Sequence, residues 1–255
     1  MSARRADTAA APQQAPAAAC GAKRPSAFAS YRILLAKDLR REFRTFDMLS
    51  SMCIYAVLVL IVYGAALGTV ASAVDIVNIA GGLLWALIVF TSLLGLNRSF
   101  AHEREQGCIE GVLLVPLDRG VVFLAKATAN ALLLLIVELI ALPLFWFFFL
   151  ADAELAASAP LLLLPLAAGT IGIAGVGTLL ATMTANTSGR DVLTAVLFIP
   201  LVFPLLYACV AASTAVLVGA QGWMLTLRTS LALACGYDVI MLLVSWVLYD
   251  FAVSA

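Results

Sequence analysis

An all-α, polytopic membrane protein with six transmembrane helices is the architecture expected from three properties of the chain. Hydrophobic residues fill 64% of its 255 positions and charged residues 12%, against roughly 45–50% and 25% in a soluble domain. A soluble core of this length has too little interior to hide so much apolar surface. Apolar stretches recur along the chain, and each reaches the roughly 18 residues needed to cross about 30 Å of hydrocarbon. Finally, the formal charge is zero overall but steeply uneven, with nine of the fifteen Lys and Arg placed before residue 48.

Taken in order, residues 1–26 are rich in Ala, Pro, Gln and Ser, a composition expected to stay disordered as a cytoplasmic tail. They contain no apolar h-region, so no cleavable signal peptide is expected. Residues 27–47 carry Phe28, Tyr31, Leu35, Leu39, Phe43 and Phe46 at helical spacing, with Lys37, Arg40, Arg41 and Arg44 largely on other faces. That pattern predicts an amphipathic helix in the cytoplasmic headgroup layer, with membrane lipid as its partner. Residues 48–255 form the spanning domain, with spans at about 48–70, 76–96, 121–150, 159–185, 191–217 and 231–249. The third is the longest, about 45 Å as a helix, and Pro143 is expected to kink it ahead of an aromatic interfacial end at Phe145–Phe149. Pro200 and Pro204 interrupt the fifth. Two readings of 201–228 stay open: one long tilted helix, or a helix ending near Tyr207 followed by a re-entrant hairpin on the outer side.

This arrangement passes a charge test. With the N-terminus inside, fourteen of the fifteen Lys and Arg fall in inner segments and only Arg228 lies outside. The positive-inside rule then places both termini in the cytoplasm.

Few residues offer chemistry. Glu138 stands in the middle of LLLLIVELIAL, where a carboxylate costs on the order of 2–3 kcal/mol on insertion scales. Asp238 raises the same question, and the span limits put it nearer the outer side. With no second ionisable group expected at the depth of Glu138, a proton relay is poorly supported. Gly64 and Gly68 form a GxxxG pair, and Gly172 belongs to a small-residue run in the fourth span. Such faces serve either packing within one chain or self-association into a permease homodimer. His102, the only histidine, reads as a polar loop residue. The five cysteines show no CxxC spacing and read as small apolar residues. No P-loop motif and no Ser/His/Asp arrangement occurs, so this chain is not expected to bind ATP or act as an enzyme. Nor does it have the charged tail of a nucleic-acid binder.

The most informative segment is the polar block NRSFAHEREQGCIEGVLLVPLDRGVVFLAK between two spans. It predicts a short helix at about 100–115 lying under the membrane with one face offered to a partner. EREQGCIEGVLLVPLDRG resembles the stretch that links the second and third spans of ABC-2-type exporter permeases and docks on a cytosolic ATPase. LLAKDLRREFR, LGLNRSFAHEREQG, ANALLLLIVELIALPLF and GTLLATMTANTSGRDVL, in that order, resemble the haem exporter protein B family over about residues 31–250. What the resemblance implies is the permease subunit of an ABC transporter of the inner membrane, serving cytochrome c maturation. Glu103, Arg104, Glu105, Gly107 and Gly111 would form its coupling helix, flanked by Arg98 and Arg119, and the basic helix around Lys37–Arg44 would help hold the ATPase. The implied partners are that ATPase, a haem-handling membrane subunit and a small single-span protein. Haem would be cargo and ATP would sit on the partner, with no cofactor bound by this chain alone. The alternatives are an ABC-2-type permease for another lipophilic substrate (lipid, glycan or drug) and a non-ABC membrane scaffold.

Overall fold

The computed structural model describes residues 26–69, 75–105, 119–150, 159–184, 187 and 189–254. They form seven α-helices: α1 (Ala27–Thr45), α2 (Asp47–Gly68), α3 (Ile76–Glu105), α4 (Arg119–Phe149), α5 (Leu163–Thr184), α6 (Arg190–Val218) and α7 (Trp223–Ser254). A short 3-10 turn, Ala159–Leu162, leads into α5. All but α1 are long and apolar enough to cross a membrane.

Ser26 starts α1, its Oγ accepting from the Ala29 amide at 3.3 Å, the usual way of satisfying an orphan donor of the first turn. Phe46 then takes a left-handed conformation (φ 52°) that stops α1 and turns the chain directly into α2. The bundle is built around α3 and α5, whose spanning windows are 67% and 72% buried, against 17% for both α2 and α7. Glycine explains why α5 sits so deep. A side chain at Gly169 would strike the Trp85 ring of α3, and one at Gly172 would strike Asp238 of α7 and Leu205 of α6. Between α3 and α6 the approach is tighter still, because a Cβ on Gly81 would lie 3.1 Å from the Thr214 amide nitrogen. In lipid, where tails are as apolar as Leu, such close backbone packing is what joins helices.

Polar cross-links supplement it. Asn130 Nδ2 donates to Thr178 Oγ1 at 3.0 Å, and Thr170 Oγ1 meets both Glu138 carboxyl oxygens at 2.8 Å. The two rungs are eight residues apart on both α4 and α5, as antiparallel neighbours require, and so about 12 Å apart along the axis. Trp85 Nε1 donates to Ser213 Oγ at 2.9 Å, and the Thr184 and Thr194 hydroxyls stand 2.7 Å apart.

The structure decides the question left open at 201–228. α6 runs unbroken through Pro200 and Pro204 to Val218 and ends on Gly219 in a left-handed cap (φ 62°), whose amide donates to Ala215 O. There is no re-entrant hairpin. The sixth span also begins at Trp223 rather than near residue 231, because Arg228 is exposed near the helix end and does not interrupt it. Pro143 likewise sits inside an unbroken α4. At the end of the bundle where α2, α4 and α6 finish, the links to the next elements are short: 69–75, 150–158 and 219–222.

Candidate functional site

At the opposite end lie the residues that precede and follow the polar block. α3 continues past its apolar span to Glu105, so residues 100–105 extend that helix. Glu103, Arg104 and Glu105 therefore lie on α3; Gly107 and Gly111 lie outside the described residues. The block is anchored where α3 leaves the apolar region. Arg98 Nη1 donates to Ser51 Oγ at 2.5 Å and lies 3.5 Å from both Asp47 O and Asp47 Oδ1. The side chains of Arg98 and Asp47 are 46% and 75% exposed, so the pair contributes about 0–1 kcal/mol. Its effect is positional, because it ties α3 to the elbow between α1 and α2. That elbow is itself fixed by Glu42 Oε1, which accepts from the Leu49 amide at 2.8 Å in the first turn of α2. On the far side of the block, Arg119 opens α4 half-buried, and Gly120 packs against the indole of Trp246 on α7. Both ends of the block thus sit on helices fixed to their neighbours.

The intramembrane carboxyls occupy a second region. Glu138 is buried, and beside it is a space with room for about one water, walled by Ala56, Leu84, Thr91, Val137 and Leu166. Thr170 Oγ1 faces three acceptors, the two oxygens of Glu138 and the Leu166 carbonyl at 2.7 Å. A hydroxyl has one hydrogen to give. A side chain at 138 that can itself donate would let Thr170 keep its bond to Leu166 and still accept one.

Asp238 is buried too, and its Oδ1 has no hydrogen-bond partner among the described residues. The expectation that it lies nearer the outer side than Glu138 fails. Its carboxyl packs on Gly172, two residues from Thr170, so the two acids flank α5 at nearly one depth. Because α7 starts eight residues earlier than its apolar run suggests, Asp238 falls mid-helix. Contrary to the expectation from the sequence, a second ionisable group therefore shares the level of Glu138. The small-residue positions separate in the same way. Gly172 is a close-packing site, whereas Gly68 meets nothing within 4 Å and Gly64 only Phe148 at an ordinary 3.6 Å. Lys37, Arg40 and Arg44 are exposed on α1, and Arg41 is half-buried.

Reading the sequence missed the neutral partners Asn130, Thr170 and Thr178. Their signal was present, as polar residues at matching eight-residue spacings in two adjacent apolar runs. It also missed Ser51 and Asp47, which nothing in the sequence links to Arg98.

A family model described as CcmB protein matches residues 29–255. The chain belongs to the CcmB family. The match takes in every described helix except the first two residues of α1 and includes the polar block with both of its anchors. A curated CcmB relative, "Heme exporter protein B" of Pseudomonas aeruginosa, is 28% identical over 206 residues, covering 80% of this chain and 90% of that protein. The protein of the same name from Escherichia coli K12 is 38% identical over 53 residues, 21% of this chain and 24% of that one. Six apolar helices make this CcmB-family chain a multi-pass membrane protein.

Proposed function

We propose that this chain is the membrane subunit of an ATP-driven complex that handles haem for cytochrome c maturation. ATP is bound and hydrolysed on a cytosolic partner, and haem is moved or released at the outer side. The observation that carries this reading is the match of one family model to residues 29–255, spans and connecting block alike, together with a relative named as a haem exporter across 90% of its length. On this reading both termini and the 97–119 block face the cytoplasm of a cell whose inner membrane holds the protein. A haem-handling membrane subunit and a small single-span protein complete the complex.

The geometry gives the coupling a physical route. A push on the block reaches α3 through a continuous helix, and Arg98 passes it to the α1–α2 elbow through Ser51 and Asp47. Displacement then travels as rigid-body motion of packed helices rather than as bending of one. The buried layer formed by Glu138 of α4, Thr170 and Gly172 of α5 and Asp238 of α7 is centred on α5, which packs against α3, α4, α6 and α7, where such a motion would be felt.

The test is genetic and biochemical. Deleting the gene should abolish covalent haem attachment to c-type cytochromes, and the wild-type gene should restore it. A P-loop subunit should co-purify with the wild-type protein and be lost on Glu105→Arg or Gly107→Trp. Normal c-type cytochromes in the deletion strain would refute the haem reading. An undiminished ATPase complex with both variants would refute the placement of the docking surface.

A further inference from the structure

α1 distributes its side chains unevenly around its axis. Ser30 is buried toward the bundle, Leu34 packs on a cluster of Val122, Phe123, Ala127 and Tyr249, and Leu39 reaches the main core. Both acidic residues of the helix turn the same way and are engaged. Asp38, with an 18% exposed side chain, pairs with Lys37 Nζ at 3.4 Å, and Glu42 caps the Leu49 amide. The opposite flank therefore carries only positive charge. Arg32, Arg40 and Arg44 are exposed there, and among the described residues none of them meets an acid.

Apolar groups share that flank. Phe28 is 68% exposed, Ile33 65% and Phe43 46%, and the Arg32 guanidinium lies 5.9 Å from the centre of the Phe28 ring. Facing water alone, three such side chains would be an uncompensated loss. The elbow explains the pattern. Only Phe46 separates α1 from the apolar helix α2, and the Glu42 cap and the Arg98 contacts hold that junction in place. α1 is thereby fixed at the level where hydrocarbon gives way to headgroups. There, long cationic side chains extend to phosphates while their apolar neighbours sink into the acyl boundary.

We propose that this outward flank of α1 is a binding surface for anionic phospholipid headgroups, with Arg32, Arg40 and Arg44 on the phosphates and Phe28, Ile33 and Phe43 among the first acyl carbons. Charge complementarity and the mixture of bases with exposed apolar groups select an anionic lipid over a zwitterionic one, and over a soluble protein surface. The surface belongs to α1 and its junction with α2, and depends on neither haem nor an ATPase.

Native mass spectrometry of the purified full-length protein, titrated with phosphatidylglycerol and with phosphatidylcholine, tests it. Phosphatidylglycerol should be retained in preference, and that preference should fall as salt rises. Each arginine near a charged surface contributes about a fivefold factor. The triple change Arg32→Gln, Arg40→Gln, Arg44→Gln should therefore lower the preference by up to about a hundredfold and leave phosphatidylcholine binding unaltered. The charge-keeping triple change to Lys should retain most of it. Arg228→Gln, at the other end of the bundle, should have no effect. Equal retention of the two lipids would overturn the proposal, as would an unchanged preference in the triple Gln variant. So would a triple Gln variant that keeps its lipids but no longer co-purifies with a protein partner, since the flank would then belong to that partner.

Discussion

The two polar rungs between α4 and α5 make a quantitative prediction. Thr170→Val keeps the shape of the side chain and removes the side-chain hydrogen bonds that Glu138 makes among the described residues. Stranding a buried polar group costs about 1–3 kcal/mol in general, while single interhelical bonds in membranes average about 0.6 and reach about 1.7 kcal/mol. The expected loss is thus about 1–2 kcal/mol, or a fall of about 2–8 °C in Tm for a chain of this size. Glu138→Gln should be nearly silent, because its amide can donate to Thr170 Oγ1 while Thr170 keeps the Leu166 carbonyl. Glu138→Leu should be close to neutral as well, since it removes the polar group rather than leaving it unpartnered. Asn130→Leu breaks the other rung, about 12 Å away. Its effect should add to that of Thr170→Val within about 0.5 kcal/mol, whereas Thr170→Val combined with Glu138→Leu should cost clearly less than the sum. Thermal unfolding of the purified variants in one detergent reads all of these. A stable Thr170→Val protein would refute the account of the rung, and so would a Glu138→Gln variant as unstable as Thr170→Val.

Gly81→Ala should destabilise by about 1–3 kcal/mol, because the new methyl meets the α6 backbone at Thr214 N and Val210 O. Gly68→Ala, with nothing within 4 Å, should leave the isolated protein unchanged; the same melting assay separates the two. Arg98→Gln should cost under about 1 kcal/mol in stability yet loosen the elbow. A spin-label distance between the end of α3 and α1 should broaden in that variant, and an unaltered distribution would remove Arg98 from its proposed positional role.

The helices themselves were largely legible, because in a membrane the length of an apolar run and the need to satisfy every backbone group leave little choice. Five of the six spans begin within about two residues of where the apolar runs place them. The exception is instructive. Arg228 breaks the apolar run but not the helix, since a long cationic side chain near a helix end reaches polar surroundings without leaving helical geometry. The eight-residue error at the start of α7 then carried Asp238 to the wrong depth. For the glycine motif the structure decides one of its two readings, packing within the chain. GxxxG spacing marks a surface that permits close approach, and only the positions of the neighbouring helices decide where it is used. Here the approach occurs at Gly81 and along α5, while Gly64 and Gly68 are left without a close neighbour. Pairings such as Arg98 with Ser51, or Trp85 with Ser213, join residues 47 and 128 apart. Neither local spacing nor composition contains that information.

The three links 69–75, 150–158 and 219–222 put a limit on how the protein meets its surroundings on that face. Even fully drawn out, the longest spans only about 30 Å between its two ends, and the shortest closes on two glycines in left-handed conformations. Links of that length are too short to build a lobe of their own. A partner approaching that face would have to come down to the lipid surface and bring its own handhold.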